Sequence, residues 1–421
     1  MAGIAKLTPL EGWIKQKIGL AELSLPALRA YQKRMLISTF VYVKERSPFY
    51  RHLYKDISSS AIQGPQDWEK LPLIRDKNVR EQATRMLCVG QDKIQRIVTL
   101  DSSGTTGVPK RIFFSKKDQE LTVDFFANGM TTMTQKGDKV LILLPCKRPG
   151  GVGDLLAKGL ERFGALPLKY GAVDDCEKVV ELLFEERPQV IVANPAQMLL
   201  VAYCYRQQVE KGAIPFNLQA ILLSTDYVAD SLKERLTEIF ECPIHEHYGM
   251  TEMGLGGGVS CSGLHGYHLR EADMYWEVVD QNGKALPVGE YGEIVFTTLT
   301  REAMPLIRYA TGDKGRFLSE PCPCGSILPR LDKVQQRLDS PLDLPALTEI
   351  IFMFDGIVDF QGKLVGDELL LTLFCLEAGH QWTPRDIINA LPCKTELVVQ
   401  YGIPAHMYQL KKRQISLETS R

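Results

Sequence analysis

The chain has 421 residues, too many for one compact core, which predicts two or three domains. Its 50 Lys and Arg residues and 51 Asp and Glu residues give a net charge of −1, which excludes the basic excess that nucleic-acid binding requires. The 10 cysteines are scattered, unlike the disulfide framework of a small secreted domain, so we expect a reducing compartment and small-molecule partners.

The N-terminal region predicts helix and no membrane partner. Residues 1–20 contain no continuous apolar core of signal-peptide length, and the most apolar stretch, QVIVANPAQMLLVAY, is interrupted by Asn194 and Pro195. Apolar residues recur at helical spacing from Ala21 to about Tyr54, which predicts a helix that stops at Pro48. We therefore expect a cytoplasmic protein.

The middle of the chain predicts a parallel sheet, because short apolar runs alternate there with helical stretches. The runs are KVLILLP (139–145), ALPLKY (165–170), PQVIVANP (188–195) and LQAILLST (218–225). From about Tyr267, short alternating strands separated by turns predict an antiparallel β-subdomain, formed by MYWEVVD, GEYGEIVFTTL and LIRYATGD.

The predicted fold class is α/β with two domains. The first covers residues 1–338 and combines parallel α/β subdomains with the antiparallel β-subdomain. The second covers residues 339–421, where two or three strands and the helix TPRDIINAL predict a small mobile α+β lid domain.

The segment DSSGTTGVPK (101–110) has the composition of a phosphate-binding loop but not of a P-loop. A P-loop needs glycine directly before its lysine and serine or threonine directly after, whereas Pro109 precedes Lys110 and Arg111 follows it. The flanks RIVTL and RIFFS alternate like strands, while a P-loop leads into a helix. A plain Ser/Thr/Gly turn remains the alternative to a nucleotide-binding loop of another kind.

Two further segments complete a recognisable set: HEHYGMTEMG (245–254) and LIRYATGDKGRF (306–317). With SSGTTGVPK they resemble the signature motifs of the adenylate-forming (AMP-binding) superfamily. ERSPFYRHLY, LPLIRDKNVRE, AMPLIRYATGD and CPCGSILPRL resemble its phenylacetate–CoA ligase branch. The resemblance covers about residues 45–340. It implies the adenylate-forming fold and an ATP- and Mg²⁺-dependent carboxylate–CoA ligase that works through an acyl adenylate.

The resemblance implies which residues bind the phosphates and the metal. Glu252 corresponds to the family's Mg²⁺-binding glutamate and Thr251 to a phosphate-contacting hydroxyl. The alternative for Glu252 is a structural role, in which its negative charge interacts favourably with the N-terminal end of a helix dipole. The residues implied around the β- and γ-phosphates are Ser102, Ser103, Gly104, Thr105, Thr106, Gly107 and Lys110.

A second group is implied around the nucleoside. Asp313 corresponds to the carboxylate that accepts hydrogen bonds from the ribose hydroxyls, and Arg337 is likewise ribose-facing. Turn formation is the alternative for Asp313, and core packing for Tyr248. The residues implied around the adenine are Ser224, Thr225, Asp226, His247, Tyr248 and Gly249.

Cysteines and histidines cluster in two places, and the resembling branch can hold a structural zinc with such residues. The predicted ligands are Cys261, His265, Cys322 and Cys324, with His268 as a rival fourth ligand. Three thiolates and one imidazole make a closed tetrahedral site for Zn²⁺. Free buried cysteines are the alternative.

The C-terminal motifs depart from the family pattern. The hinge segment keeps Arg337 and Asp339 but has Gln336 and Ser340 where relatives have glycine and aspartate. Lys411 and Lys412 are the candidates for the family's catalytic lysine, although neither follows a glycine, and solvated tail residues are the alternative. The sequence therefore leaves open whether the acyl acceptor is CoA or another nucleophile. A weakened homologue that binds ligands without catalysis is a further alternative.

The expected partners are a carboxylic acid and CoA, and a homodimer is compatible with the sequence. Phe125, Phe126 and Met250 fall where the family lines its acid pocket and would suit an apolar or aromatic acid.

Overall fold

The computed structural model describes residues 6–100, 108–338, 340, 342–376, 381–402 and 415–418. Up to residue 130 its elements are α1 (Pro9–Lys17), α2 (Leu25–Arg46), α3 (Pro48–Leu53), α4 (Pro65–Trp68), α5 (Asp76–Gln82), β1 (Ile94–Leu100), β2 (Lys110–Ser115) and α6 (Lys116–Met130). None of the helices in these described ranges has the length and apolar character needed to cross a membrane.

The next elements are β3 (Lys139–Leu143), α7 (Val152–Arg162), β4 (Leu166–Lys169), α8 (Cys176–Glu186), β5 (Val190–Ala193), α9 (Pro195–Glu210), β6 (Ala220–Leu223), α10 (Asp230–Phe240) and β7 (Ile244–Tyr248). They are followed by β8 (Gly258–Val259), β9 (Tyr267–Leu269), β10 (Met274–Val279), β11 (Gly292–Thr298), β12 (Tyr309–Gly315), β13 (Arg330–Leu331) and β14 (Gln336–Arg337). The last are α11 (Leu344–Phe352), β15 (Ile357–Val365), β16 (Glu368–Cys375), α12 (Pro384–Ala390), β17 (Thr395–Tyr401) and β18 (Ile415–Glu418).

Two compact units are present. Unit 1 comprises Met1–Thr132 and Tyr248–Lys333, and unit 2 comprises Met133–His247 and Val334–Arg421. The predicted boundary between residues 338 and 339 separates a C-terminal lid domain rather than a compact unit, and it stays a prediction.

Unit 1 contains the predicted antiparallel sheet. Strands β10, β11 and β12 pair antiparallel in that order, with Trp276 opposite Phe296. The rings of Trp276, Phe296 and Tyr309 form a continuous aromatic core, with centroids 5.7 Å and 5.4 Å apart. The prediction of an antiparallel β-subdomain from alternating side chains is therefore confirmed.

The predicted N-terminal helix of unit 1 breaks at the expected place. Helix α2 ends at Arg46, and Pro48 begins α3, because a proline is tolerated in the first turn of a helix but not in its interior. Ser47 caps the new helix by accepting a hydrogen bond from the Tyr50 amide at 3.4 Å.

Unit 2 contains the predicted parallel sheet. Its strands pair in the order β7-β6-β5-β3-β4, all parallel. Helices α7, α8, α9 and α10 follow successive strands, as crossover connections between parallel strands require. Side chains of β5 and β6 are buried throughout, which explains why these strands read as continuous apolar runs.

The C-terminal part of unit 2 is an α+β segment. Strands β15 and β16 pair antiparallel, β17 adds parallel to β16, and β18 adds parallel to β15. Phe352, Phe360 and Leu373 from this segment belong to the same hydrophobic core as Leu199 and Leu232 from the crossover helices.

Candidate active site

The segment that carries the first signature motif connects two antiparallel strands. Leu100, the last residue of β1, pairs with Lys110, the first residue of β2. Residues 101–107 between Leu100 and Val108 lie outside the described residues, so the predicted roles of Ser102, Ser103, Gly104, Thr105, Thr106 and Gly107 stay predictions. The motif is followed by strand β2, which confirms that this is not a P-loop, since a P-loop leads into a helix.

Lys110 and Glu252 form a buried ion pair. Only 10% of the lysine side chain and 2% of the glutamate side chain are exposed. The Lys110 ammonium also pairs with Asp76, at the start of α5, which in turn pairs with Arg80. Although burial opposes ionisation of Asp76, these two cations lower its pKa below the ordinary value. Two cations and two carboxylates therefore meet at the last residue of the DSSGTTGVPK motif.

Glu252 is positioned by a short 3₁₀ turn, Thr251–Met253, that follows β7. Gly254 ends the turn with φ +72°, in the left-handed region that glycine adopts at little cost. Its carbonyl accepts a hydrogen bond from the Thr122 hydroxyl at 2.7 Å. The Tyr309 hydroxyl donates to Oε1 of Glu252 at 3.2 Å, so both the backbone and the carboxylate are fixed.

Asp313 and Tyr248 are linked in unit 1. The Tyr248 hydroxyl donates to Oδ2 of Asp313 at 2.8 Å, and both side chains are buried. The Tyr248 ring lies 5.8 Å from the Tyr267 ring and 6.3 Å from the Trp276 ring. This environment is that of the core-packing alternative, and adenine stacking by Tyr248 stays a prediction, as does a contact by Gly249.

The remaining predicted nucleotide residues lie in unit 2, where parallel strands end. Ser224 and Thr225 follow β6, and His247 lies in β7. The Ser224 hydroxyl and His247 Nδ1 are 2.8 Å apart. Burial lowers the pKa of His247 to about 4, so the imidazole is neutral at pH 7. The carboxyl ends of adjacent parallel strands are the usual ligand-binding edge of such a sheet.

Thr225 has a strained backbone conformation. Its φ is +79°, an unfavourable value for a β-branched residue, and its hydroxyl accepts a hydrogen bond from the Asn194 side chain at 3.0 Å. Asp226 accepts from the Tyr227 amide at 2.9 Å. Arg337 lies in β14 and is half-buried. The predicted contacts of Thr225, Asp226 and Arg337 with the nucleotide stay predictions.

A second cluster in unit 1 brings together the side chains of Cys261, His268, Cys322 and Cys324. All four are buried, and their ligand atoms lie within 4.8 Å of one another. His268 Nε2 is 3.3 Å from the Cys322 sulfur and 3.4 Å from the Cys324 sulfur. Burial raises the pKa of the Cys261 and Cys322 thiols and lowers the pKa of His268 to about 4.

The predicted fourth ligand, His265, is corrected by this geometry in favour of its rival, His268. His265 is exposed, and the contact it makes is through its backbone carbonyl, which accepts a hydrogen bond from Arg330 at 2.8 Å. His268 lies in β9 and pairs with Arg330 of β13, so strand pairing buries its imidazole beside the thiols. Sequence spacing alone did not decide between two histidines three residues apart.

The predicted acid-pocket residues of unit 1 lie around α6 and the glycines after Glu252. Phe125 and Phe126 are buried, with ring centroids 6.2 Å apart. A Cβ atom on Gly256 would lie 2.6 Å from the Phe125 ring, and one on Gly257 would lie 2.9 Å from the Trp276 ring. Only glycine allows the chain to pass this close to the aromatic side chains.

Lys411 and Lys412 lie outside the described residues, so their predicted role stays a prediction. Sequence reasoning missed three residues around the Lys110–Glu252 pair. Asp76 pairs with Lys110, the Tyr309 hydroxyl donates to Glu252, and the guanidinium of Arg301 lies beside Gly254 of the turn that carries Glu252. Tyr309 and Asp76 lie within quoted motifs, AMPLIRYATGD and LPLIRDKNVRE, but nothing in those motifs shows that one contacts Glu252 and the other Lys110.

Comparison with known proteins gives a family match. A family model described as AMP-binding enzyme matches residues 78–299. A phenylacetate-coenzyme A ligase from Thermus thermophilus is 28% identical over 393 residues, which cover 86% of each chain. The phenylacetate-coenzyme A ligase of Escherichia coli K12 is 26% identical over 329 residues, 76% of this chain and 73% of that protein.

Solved structures show the same fold. A 2-hydroxyisobutyryl-CoA ligase in a postadenylation state superimposes with a TM-score of 0.77 at 21% identity, covering 93% of this chain and 89% of that one. An anthranilate CoA ligase gives a TM-score of 0.54 at 16% identity, covering 73% and 64%. The predicted adenylate-forming fold is therefore confirmed.

Proposed function

Since the chain belongs to the AMP-binding enzyme family, we propose that it is an ATP-dependent carboxylate–CoA ligase that works through an acyl adenylate. The observation that carries the proposal is the buried Lys110–Glu252 pair, which joins two of the three signature motifs. The similarity to phenylacetate-coenzyme A ligases over most of the chain supports CoA as the acceptor.

In the first step an oxygen of the acid's carboxylate attacks the α-phosphorus of ATP, and pyrophosphate leaves. Two anions must approach each other, so the barrier falls when fixed cations and donors face the phosphates. Lys110, the first residue of β2, supplies such a cation at the end of the DSSGTTGVPK motif. Asp313 is a buried carboxylate that would accept hydrogen bonds from the ribose hydroxyls.

Mg²⁺ fits the carboxylate of Glu252. The carboxylate offers hard oxygen ligands, and the Lys110 ammonium already lies against it, so the position accommodates a positive charge. A bound Mg²⁺ would offset charge on the phosphates. When the nucleotide is bound, Lys110 is expected to turn from Glu252 towards a phosphate oxygen.

In the second step the thiolate of CoA attacks the acyl carbonyl, and AMP leaves. Lys411 and Lys412 are the proposed candidates for the lysine that orients the first reaction. Gln336 and Ser340 stand where relatives have glycine and aspartate in the hinge segment. Thioester formation should therefore be tested separately from adenylation.

The proposal is tested by ATP–pyrophosphate exchange over a panel of aliphatic and aryl carboxylic acids. Exchange with at least one acid is expected, followed by AMP release and a thioester product when CoA is added. Exchange without a thioester would indicate another acyl acceptor. ATP binding without exchange for any acid would contradict the enzyme and leave a ligand-binding homologue.

A variant at Glu252 tests the metal role. Glu252→Gln keeps the shape of the side chain but removes the charge, so we expect Mg²⁺-dependent exchange to fall on the order of 10²-fold or more. Exchange rates measured against Mg²⁺ concentration check this. The matched control is Glu290→Gln, an exposed glutamate of the same unit, which should keep the wild-type rate.

We also propose that Cys261, His268, Cys322 and Cys324 hold a structural Zn²⁺. Three thiolates and one imidazole are a donor set that Zn²⁺ binds tetrahedrally, and burial of all four closes the site to water. The ion would join the segment after Glu252 to the loop that carries Cys322 and Cys324.

Elemental analysis of purified protein tests the zinc site, with about one zinc per chain expected. His268→Ala should lose the metal, whereas the neighbouring His265→Ala should retain it. Zinc absent from the wild-type protein, or lost equally from both variants, would contradict the assignment.

A further inference from the structure

Arg301 lies in a loop of unit 1 whose backbone is held rigidly. Asp118, in the first turn of α6, accepts hydrogen bonds from the amides of Glu302 at 2.7 Å and Ala303 at 3.0 Å. The Thr300 hydroxyl donates to Asp273 at 2.8 Å. Buried carboxylates therefore anchor the loop on both sides of Arg301.

The side chain of Arg301 reaches towards the turn that carries Glu252. Its guanidinium lies 5.2 Å from the centre of the Phe114 ring. Its Nη2 atom lies 3.1 Å from the position that a Cβ atom on Gly254 would occupy. Phe114 is in β2, the strand that begins with Lys110, and Gly254 is two residues after Glu252. Arg301 thus belongs to the surroundings of the Lys110–Glu252 pair.

Arg301 is a buried cation that the protein leaves incompletely bonded. Only 8% of the residue is exposed, and its Nη1 atom is buried with no hydrogen-bond partner within residues 6–100, 108–338 and the shorter described ranges. Arg270 and Arg308, which are buried more deeply in the same unit, donate to Asp273 and Glu277 and to backbone carbonyls. Among these three arginines of the described residues, Arg301 alone has a buried N–H group without an acceptor.

The charge of Arg301 persists at neutral pH. Burial lowers the pKa of its guanidinium to about 10, the nearby Arg270 acts in the same direction, and Asp118 and Glu252 oppose the shift. A buried guanidinium N–H without an acceptor is costly, because the desolvation of the donor is not compensated by a hydrogen bond. An anionic ligand would supply the missing acceptor.

We propose that Nη1 of Arg301 donates a hydrogen bond to the carboxylate of the acid substrate and thereby selects acids over neutral analogues. This rests on the proposed ligase function. The carboxylate is favoured over a nucleotide phosphate because Gly254, beside the guanidinium, begins the glycine segment that packs on Phe125 and Trp276. Arg301 would hold one end of the acid while the aromatic side chains meet its apolar part.

The first test compares the binding of acids and their amides, without any turnover. Aryl and short aliphatic carboxylic acids and the corresponding primary amides are titrated into wild-type protein, Arg301→Met and Arg301→Lys by calorimetry. Wild type should bind at least one acid 10-fold or more tighter than its amide. Arg301→Met should bind the two within about twofold of each other, and Arg301→Lys should restore part of the preference.

Arg34→Met is the matched control, because Arg34 also lies over an aromatic ring, 5.5 Å from Tyr31, but is exposed. It should keep the wild-type preference. An acid preference that survives in Arg301→Met, or no acid preference in wild type, would overturn the proposal. If Arg301→Met does not fold, the Arg301→Lys protein decides, since an unchanged acid-to-amide ratio there would also overturn it.

Exchange kinetics separate this proposal from the ligase function. If wild type prefers the acid but shows no pyrophosphate exchange, the result contradicts the ligase function and supports the proposed carboxylate contact of Arg301. If wild type exchanges, Arg301→Met should raise the KM for the acid 10-fold or more and leave the KM for ATP within twofold. A rise confined to the KM for ATP would place Arg301 against the nucleotide and overturn the proposal.

Discussion

Lys110 and Glu252 neutralise each other in a buried ion pair. A ligand that binds to either side chain must therefore replace the charge of its partner. A buried ion pair gains little over apolar packing, but removing one partner leaves a charge whose desolvation is uncompensated. Asp76 provides Lys110 with a second carboxylate partner, which would remain if Glu252 bound the proposed metal. Under the proposed function, the three side chains would exchange an internal salt bridge for contacts to a metal and to phosphate.

The neutral state of His247 predicts how stability depends on pH. In the unfolded chain the imidazole binds a proton near pH 6.5, whereas burial lowers its pKa in the folded protein to about 4. Acid therefore favours the unfolded chain, and stability should fall as the pH drops from about 6.5 towards 4. Between pH 7 and pH 5 the loss attributable to His247 is about 2 kcal/mol.

His247→Asn isolates this contribution, because asparagine can still bond to Ser224 but does not titrate. Urea unfolding followed at pH 7 and pH 5 should show a smaller loss of stability in the variant than in wild type. Equal losses in the two proteins would show that His247 does not cause the acid sensitivity.

Single residues differ in how far the sequence could identify them. Glu252 and Asp313 lie in segments whose local order of residues is diagnostic, so the motifs alone picked them out. The choice of His268 over His265 depends on the pairing of β9 with β13, and no local pattern reports that pairing. Arg301 is a charged residue beside a turn. Its burial, and the lack of a partner for Nη1 among the described residues, distinguish it from a surface arginine.

Elements were predictable where their side chains repeat with a clear period over enough residues. Strands β3, β5 and β6 are short apolar runs between helices, and β10 and β11 are longer strands in the predicted antiparallel region, so both sheets could be predicted. Strands β8, β9 and β13 contain two or three residues each, too few for any period to appear. Two of these short strands position the Cys/His cluster, which is why its membership needed the structure.

Hydrogen bonds between distant elements also escaped the sequence. Asp118 caps α6 together with Ser115 and at the same time holds the loop that carries Arg301. The capping box could be predicted from the local sequence, because its two residues are three apart. The second role could not, since the loop lies 184 residues further along the chain.

At the level of the whole molecule, the C-terminal segment of unit 2 is joined to the crossover helices more extensively than the predicted mobile lid suggests. Tyr203 on α9 donates to Asp355 at 2.8 Å, and Tyr227 donates to Glu349 at 2.7 Å. Arg235 on α10 donates to the carbonyl of Phe352 at 3.1 Å. These contacts surround a common hydrophobic core, so the described part of the segment and helices α9 and α10 should open as one cooperative unit.

Phe352→Ala tests this cooperativity. Phe352 is fully buried in α11, 6.1 Å from the Phe360 ring, and its truncation should cost about 3–5 kcal/mol. Hydrogen exchange should then accelerate in peptides from α9 and α10 as well as in those from α11 and β15, because all of them border the weakened core. The adjacent Met353→Ala is the control, since Met353 is 71% exposed and its truncation should leave exchange unchanged. Faster exchange confined to residues 342–376 would instead mean that this segment opens independently, as a separate lid would.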